Sequence, residues 1–401
     1  MAHLHTRSVP KAFACNRICR PFSGVGPQVR GEIARELEEP LLSRPVAILE
    51  IVHTYAHGYV QTRETELETM KAWIVRKYGK PKEMILNQTA IPKLEVGQED
   101  RADTLVKIEA AGLNFADEIA IAGNYQDRIE PPFIPGNELA GTVVETIKGS
   151  KFSPGDRVAG QIRNGAFAQY CAVPSDRLMA IGDLPAPIAA ALPVSYTTAH
   201  IALFVKGNLK RGDTILIHAA AGGLGFAATQ LAKTVGARII ATAGDEDKRR
   251  VAKENGADHV IDYRQSDWPE QVRAFAPDGV DIILDPVGGE TSEQSLRLLA
   301  WEGRLLVCGF AGGKIQALKA NYMLVKSASV HGVYWSFDRA PEAIRTIQQK
   351  LVEQCSRGEI RPLIRDLYPM EDLVAAMESL RSRRTVGKVI IATSGPHQRQ
   401  G

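Results

Sequence analysis

The chain has no disulfide framework to staple it, no strong charge of either sign and no clean apolar run of membrane-spanning length. Its five cysteines, Cys15, Cys19, Cys171, Cys308 and Cys355, are odd in number and scattered along 401 residues. That usage fits a reducing compartment such as the cytoplasm and excludes a disulfide-built secreted scaffold. A net charge of +3 is too small to specify nucleic acid as a partner. The most apolar stretch, Ala186 to Val205, is broken by Pro187, Pro193, Ser195, Tyr196 and His200, which makes it a core segment and not a membrane span. Acidic residues are missing from the first 31 positions, where five basic residues stand. Such a start resembles a mitochondrial transit peptide, but it lacks a long amphipathic pattern. Because Met70 opens a natural first strand, residues 1–69 are read as an extension outside the folded core, with an import signal as the alternative. Cys15 and Cys19, with His3 and His5 nearby, have no second pair at finger spacing and do not make a metal site.

What the chain does have is a strand, a glycine turn and a helix in the order that holds a dinucleotide. Ile215 to Ala219 reads as a buried strand, and Gly223 to Lys233 as an amphipathic helix. Between them Ala220, Gly222 and Gly225 take the three small positions of the fingerprint, with alanine in the first slot. Gly222 lets a pyrophosphate approach the backbone, and Gly225 lets the helix pack closely on the strand. The backbone around Gly223 and Leu224 then turns the free N–H groups and positive end of the helix towards the phosphates. A second strand, Arg238 to Ala243, follows where a βαβ unit requires it.

Length predicts two domains. From residue 70 to 190 short strands alternate with glycine and proline, for example Thr104 to Ala110, Gly141 to Thr146, Asp156 to Gly160 and Ala166 to Val173, which predicts a β-rich barrel. Over 191–335 strands alternate with helices, ending with Val280 to Asp285 and Gly303 to Gly309, which predicts a doubly wound parallel sheet. Residues 340–393 hold two helices and a last strand, Gly387 to Ala392, expected to return to the first domain; 394–401 is a flexible tail.

Five ordered motifs carry a family resemblance: Gly112-Leu-Asn-Phe-Ala-Asp117, Pro135-Gly-Asn-Glu-Leu-Ala-Gly-Thr142, the fingerprint, Asp285-Pro-Val-Gly-Gly289 and Gly303-Arg-Leu-Leu-Val-Cys-Gly-Phe310. With them the chain from Met70 to Ala392 resembles the medium-chain dehydrogenase/reductases, and within these the zinc-independent NADPH:quinone oxidoreductases, the zeta-crystallin-like branch. The resemblance implies an α/β fold: a GroES-like β-rich catalytic domain joined to a doubly wound Rossmann cofactor domain. It also implies a homodimer, with Met323 to Val333 at the cofactor domain's edge.

Zinc alcohol dehydrogenases of this fold place cysteine, histidine and cysteine where this chain has Asn114, Asn137 and a position near Val194. The four close cysteines of a structural zinc lobe are also missing, since none stands between Cys19 and Cys171. No metal is therefore expected. For the nucleotide, the second strand ends not in a ribose-binding carboxylate but in Gly244, with Lys248 to Arg250 in the next helix, which can equally be a solvated basic face. By resemblance Gly244 and Lys248 flank a 2′-phosphate, Tyr263 covers it and Arg383, or its neighbour Arg384, reaches it. NADPH is the expected cofactor.

The same resemblance assigns Asn114 and Tyr125 to the acceptor pocket, where an amide and a phenol can donate to oxygens gaining negative charge. Read alone, Asn114 could be a turn residue and Tyr125 a packed aromatic. Five positions after Asn114 the family carries a second tyrosine; Ile119 stands there instead. Thr198 falls near the nicotinamide or serves only a helix backbone, and Gly309 and Phe310 end the fifth strand at the nicotinamide edge. His218 reads as a core histidine. The reading is a metal-free NADPH-dependent reductase of small quinones or related conjugated carbonyls. Its alternatives are an enone or enoyl-thioester reductase and a non-catalytic nucleotide-binding relative with a structural or trafficking role.

Overall fold

A computed structural model describes residues 69–94 and 102–393. The expected extension and its cysteines and histidines, apart from Thr69, lie outside the described residues, as does the tail from 394.

The first strand, β1 (Thr69–Ile74), buries Met70 and Ala72 on one face and pairs antiparallel with β2 (Ile85–Ala90). It is tied to the rest by the Trp73 N–H, which donates to the Phe167 carbonyl at 3.0 Å, and by the Trp73 indole on the Met370 carbonyl at 2.8 Å. The β-rich sheet then runs through β3 (Thr104–Leu113), β4 (Glu138–Thr146), β5 (Arg157–Gln161), β6 (Tyr170–Val173) and β7 (Leu178–Ala180). Its order is completed from the far end of the chain. There β15 (Val389–Ala392) pairs antiparallel with β3, and β14 (Asp366–Pro369) pairs parallel with β15. Gly141 is required where β3 and β4 close in, because a Cβ there would stand 2.0 Å from the Lys107 carbonyl oxygen. Phe167, Ile108, Leu139 and Ile391 fill the core of this lobe.

The second sheet is all parallel. Its strands are β8 (Thr214–Ile217), β9 (Arg238–Ala243), β10 (His259–Asp262), β11 (Val280–Asp285), β12 (Leu299–Val307) and β13 (Ser329–Gly332), in the order β10-β9-β8-β11-β12-β13. That is the doubly wound arrangement of a Rossmann domain, with the strand order reversing between β8 and β11. The centres of β8, β9 and β11 are buried apolar runs, Ile215 to Ile217, Ile239 to Ala241 and Ile282 to Leu284, because helices cover both faces. His218 follows β8 and is a core histidine, held between the Thr242 hydroxyl at 3.0 Å and the Ser295 hydroxyl at 2.8 Å. Burial lowers its pKa and keeps the ring neutral.

Two expectations shift. The strand written as Ile215 to Ala219 stops at Ile217, since Ala219 turns into the left-handed region at φ 50°. The edge segment Met323 to Val333 is half helix: α7 (Ala320–Lys326) precedes the short strand β13. The helices before it are α1 (Phe115–Ile121), α2 (the run Ala186–Lys206), α3 (Gly223–Thr234), α4 (Glu246–Glu254), α5 (Trp268–Phe275) and α6 (Gly289–Ser295); α8 (Pro341–Ser356) and α9 (Leu373–Arg381) follow. Among the described residues α2 alone is long and apolar enough to cross a membrane, and 67 % of its apolar window is buried inside the fold.

Candidate active site

The glycine turn sits at the carboxyl end of β8, beside the reversal point of the parallel sheet. The tight turn falls to Ala219, one residue before the first fingerprint slot; the fully buried Ala220 donates its N–H to Thr242 on β9 at 3.0 Å. Gly222 caps α3, and a Cβ built there would meet only the Ala219 carbonyl at 3.4 Å, so one side of this residue faces open space. Gly225 is the close-packing glycine: its Cβ would lie 2.4 Å from the Ala219 oxygen and 2.7 Å from the Ala220 Cα. The N–H groups of Gly223 and Leu224 have no carbonyl four residues back within α3, as at any helix start. The last strand's approach braces the turn, with the Gly387 N–H donating to the Ala221 carbonyl at 2.7 Å.

At the far end of the groove β9 delivers Gly244, and Tyr263 lies on it so closely that a Cβ would stand 3.0 Å from the phenol oxygen. Asp245 caps α4 by accepting the Lys248 N–H at 2.8 Å. The Lys248 ammonium bonds the Arg383 carbonyl and sits 3.4 Å from Asp245. Arg383, at a left-handed φ of 57°, extends its guanidinium to the Ala311 carbonyl at 3.3 Å, whereas Arg384 turns back to Ser382. Arg383 is therefore the arginine that crosses the groove. Arg249 is not a solvated face residue: it binds the Gly244 carbonyl at 2.8 Å and Asp262 at 2.7 Å.

The opposite wall comes from the β-rich lobe. Asn114 follows β3 and caps α1, its N–H bonded to the Asp117 carboxylate at 2.8 Å. Its amide is fully engaged: Nδ2 donates to Glu138 at 2.7 Å and to Asn137 at 3.0 Å, while Oδ1 accepts from the Lys388 ammonium at 2.6 Å. Both amide hydrogens thus point into a buried polar cluster, and the expected donation to an acceptor oxygen is not made in this arrangement. Glu138 is wholly buried, pairs with Lys388 and accepts the Val194 N–H at 2.8 Å. Lys388, itself only 5 % exposed, reaches 3.4 Å from Ser195. A buried pair of this kind leaves a costly bare charge if either partner is lost. Beneath it lies Asp117, whose carboxyl burial pushes up to about 7, against the pull of the Asn114 N–H and of Lys388. Glu138, Lys388 and Asp117 escaped the sequence reading. The only available signals were a carboxylate inside a motif of small residues and a lysine opening an apolar strand.

One cavity of about 870 Å3 runs from Gly223 and Leu224, past Thr198, Gly309 and Phe310, to Asn114 and Tyr125, while Gly222, Gly244, Lys248, Tyr263 and Arg383 lie outside its lining. Tyr125 is half-buried, and its hydroxyl has no hydrogen-bond partner among the described residues; burial and the nearby Asp127 carboxylate raise its pKa. Thr198 lies within α2, not at a helix start, and accepts the Trp335 indole N–H at 2.9 Å. Asp285 accepts the Val287 and Gly288 N–H groups at 2.8 and 3.1 Å, so it shapes a turn and does not face the cavity as a reagent. Among the described residues no group of three or more His, Cys, Asp or Glu side chains is placed to hold a metal ion.

A GroES-like lobe and a Rossmann lobe sharing one deep cleft define a dinucleotide-dependent oxidoreductase class. The chain matches the family models described as alcohol dehydrogenase GroES-like domain over residues 100–183 and zinc-binding dehydrogenase over residues 223–349. It is 37 % identical over 296 residues to a quinone oxidoreductase-like protein 2 homolog of Nematostella vectensis, covering 72 % of this chain and 81 % of that protein. It is 34 % identical over 313 residues to the human synaptic vesicle membrane protein VAT-1 homolog, covering 73 % and 79 %. Among solved structures, the quinone oxidoreductase of Thermus thermophilus, solved also in complex with NADPH, superposes with a TM-score of 0.70 at 31 % identity, over 80 % of this chain and 100 % of that one. A mycobacterial protein complexed with NADPH gives 0.73 at 32 %, over 80 % and 99 %. The chain belongs to the medium-chain dehydrogenase/reductase family, in its quinone oxidoreductase-like branch.

Proposed function

We propose that this protein binds NADPH and passes its hydride, without a metal, to quinones or related conjugated carbonyls. The observation that carries the reading is the single cavity joining the glycine turn to Asn114 and Tyr125, so that donor and acceptor share one space closed by both lobes. The groove fits the nucleotide: Gly222 is open on the side where phosphates would lie, α3 presents its N-terminal N–H groups, and Lys248, Arg383 and Tyr263 gather around Gly244, which leaves no carboxylate at the ribose-binding position itself, while Asp245 beside it caps α4 and partly offsets the Lys248 charge. When bound, NADPH supplies the hydride. The protein's own residues do the positioning. Tyr125 offers its free hydroxyl to the acceptor oxygen, Asn114 is fixed by Glu138 and Lys388 as a rigid part of the wall, and Thr198, Gly309 and Phe310 bound the nicotinamide end.

The metal-free reading is supported by what fills the zinc positions. Asn114 bonds Glu138 and the Lys388 ammonium, the Val194 N–H donates to Glu138, and Asn137 accepts from Asn114, so a metal ion there would lie beside a buried cation and be repelled. Zinc content of the purified protein near zero agrees with this; stoichiometric zinc overturns it.

The deciding experiment is NADPH oxidation with 1,4-benzoquinone, a simple enone and an enoyl thioester side by side. Quinone turnover supports the proposal, and turnover of the enone or thioester alone replaces it with the ene-reductase reading. The VAT-1 likeness supports a third reading, which prevails if NADPH raises the melting temperature while no acceptor is reduced. For the cofactor, Lys248→Ala weakens NADPH by about tenfold and NADH hardly at all, since a lost phosphate contact costs on the order of 1–2 kcal/mol. Equal losses for both nucleotides refute the phosphate assignment.

We further propose a homodimer through the cofactor sheet, whose edge strand β13 lies near Leu324 and Val325, 81 % and 65 % exposed. Its molecular mass in solution tests this. The protein is read as cytoplasmic from its unpaired cysteines, and mass spectrometry of the native N-terminus tests the mitochondrial alternative.

A further inference from the structure

The segment linking β13 to α8 crosses the mouth of the cavity as a strap pinned at four points. Tyr334 donates its hydroxyl to Asp127 at 2.5 Å, joining this segment to the loop that carries Tyr125. Trp335 donates to Thr198 at 2.9 Å. Phe337 is buried between the guanidinium groups of Arg177 and Arg345, 4.9 and 5.7 Å from its ring centre, and Asp338 pairs with Arg177. Three aromatic rings in four residues therefore line one side of the cavity. Tyr334 and Trp335 are each held by a hydrogen bond from the ring's polar atom, and Phe337 by burial and by the two guanidinium groups over its ring, so none swings freely. Tyr125, Phe133, Phe310 and Ile119 line the same cavity.

We infer that Tyr334 is a specificity-determining residue whose anchored ring forms one wall of a flat slot, so that the site prefers fused-ring acceptors to single-ring ones. The inference rests on the reductase reading and deepens it. Ile119 supplies no phenol at the inner position, and Tyr334 brings one to the same cavity from the other lobe, beside Tyr125. Its ring is 41 % exposed, as a wall that meets a ligand should be. A second ring of a planar acceptor would lie between this wall and the nicotinamide side, where stacking adds to burial.

The test compares 1,4-naphthoquinone with 1,4-benzoquinone through the ratio of their kcat/KM values, set in each variant against the same ratio in the unmodified protein so that the quinones' intrinsic reactivities cancel. Tyr334→Ala lowers that ratio about tenfold, through KM for naphthoquinone, as expected for a lost aromatic contact. Tyr334→Phe keeps the ring but not the bond to Asp127, and holds the ratio within about twofold of the unmodified protein. If Tyr334 only latched the lobes together, both variants would lose the Asp127 bond and would slow the two quinones by the same factor; that result overturns the inference, as does an unchanged ratio in Tyr334→Ala. Should the unmodified protein reduce neither quinone, the reductase reading fails and the slot is judged on binding. Quenching of protein fluorescence by 1,4-naphthoquinone, weakened about tenfold in Tyr334→Ala, still supports it. Absence of quenching in the unmodified protein overturns it.

Discussion

The two walls of the cleft are built on opposite plans. The cofactor groove is mostly backbone from one contiguous stretch, β8 through α3 to β9, where glycine and alanine clear space and helix N–H groups point outward. The acceptor floor is mostly side chain, assembled from segments remote in the chain: Lys388 and Asn114, in direct contact, are separated by 274 residues. The groove is specified by what is small or missing, the floor by charges that neutralise one another out of water. Local backbone geometry repeats wherever the same short pattern occurs. A buried ion pair exists only when the whole fold brings its partners together.

The largest expected effect falls on the floor. Lys388→Met leaves Glu138 as a bare buried carboxylate and lowers stability by about 3–5 kcal/mol in denaturant unfolding. The paired change Glu138→Gln with Lys388→Met recovers most of that loss; if it does not, the pair is not what holds the floor.

Asp117 sharpens the same contrast through pH. Its carboxyl is raised from 3.8 to about 7 by burial, so the folded state keeps a proton that the unfolded chain releases. The stability it contributes is complete below pH 3.8 and is lost as pH rises through about 7. Asp117→Asn should therefore match the unmodified protein near pH 4 and exceed it near pH 8, by on the order of 3 kcal/mol. A constant difference across that range would mean that Asp117 is ionised in the fold.

The smallest effect is asked of the groove. Gly225→Ala drives a methyl into the Ala219 carbonyl, and the backbone there must shift. The expected cost is about 1–3 kcal/mol, with NADPH affinity falling in step, read by thermal unfolding with and without nucleotide. Full stability in this variant would show that the turn yields freely, and the contrast between a rigid groove and a charged floor would fail.

The groove was legible in sequence because its rules are local. Ala220, Gly222 and Gly225 could be placed by spacing alone, and the absence of an acid at Gly244 could be read directly. Even so, the sequence missed that Ala219 makes the turn, since a left-handed alanine leaves no mark in composition. Asn114 was expected in the cleft and lines its cavity, but the direction of its amide was not legible: that depends on Glu138 and Lys388, which bond it. Tyr334 was invisible because the pattern supplied a tyrosine position, held by Ile119, and gave no reason to seek a phenol from the other lobe.

By itself the sequence determined the two-lobed fold, the dinucleotide turn and the missing zinc ligands, since each depends on residues that act over a few positions of chain. The tertiary structure alone decided which charges meet, where the amide hydrogens of Asn114 go and which rings line the cleft. Those outcomes depend on β15 lying against β3 and on the segment after β13 crossing the cleft, contacts between distant parts of the chain that no short window contains.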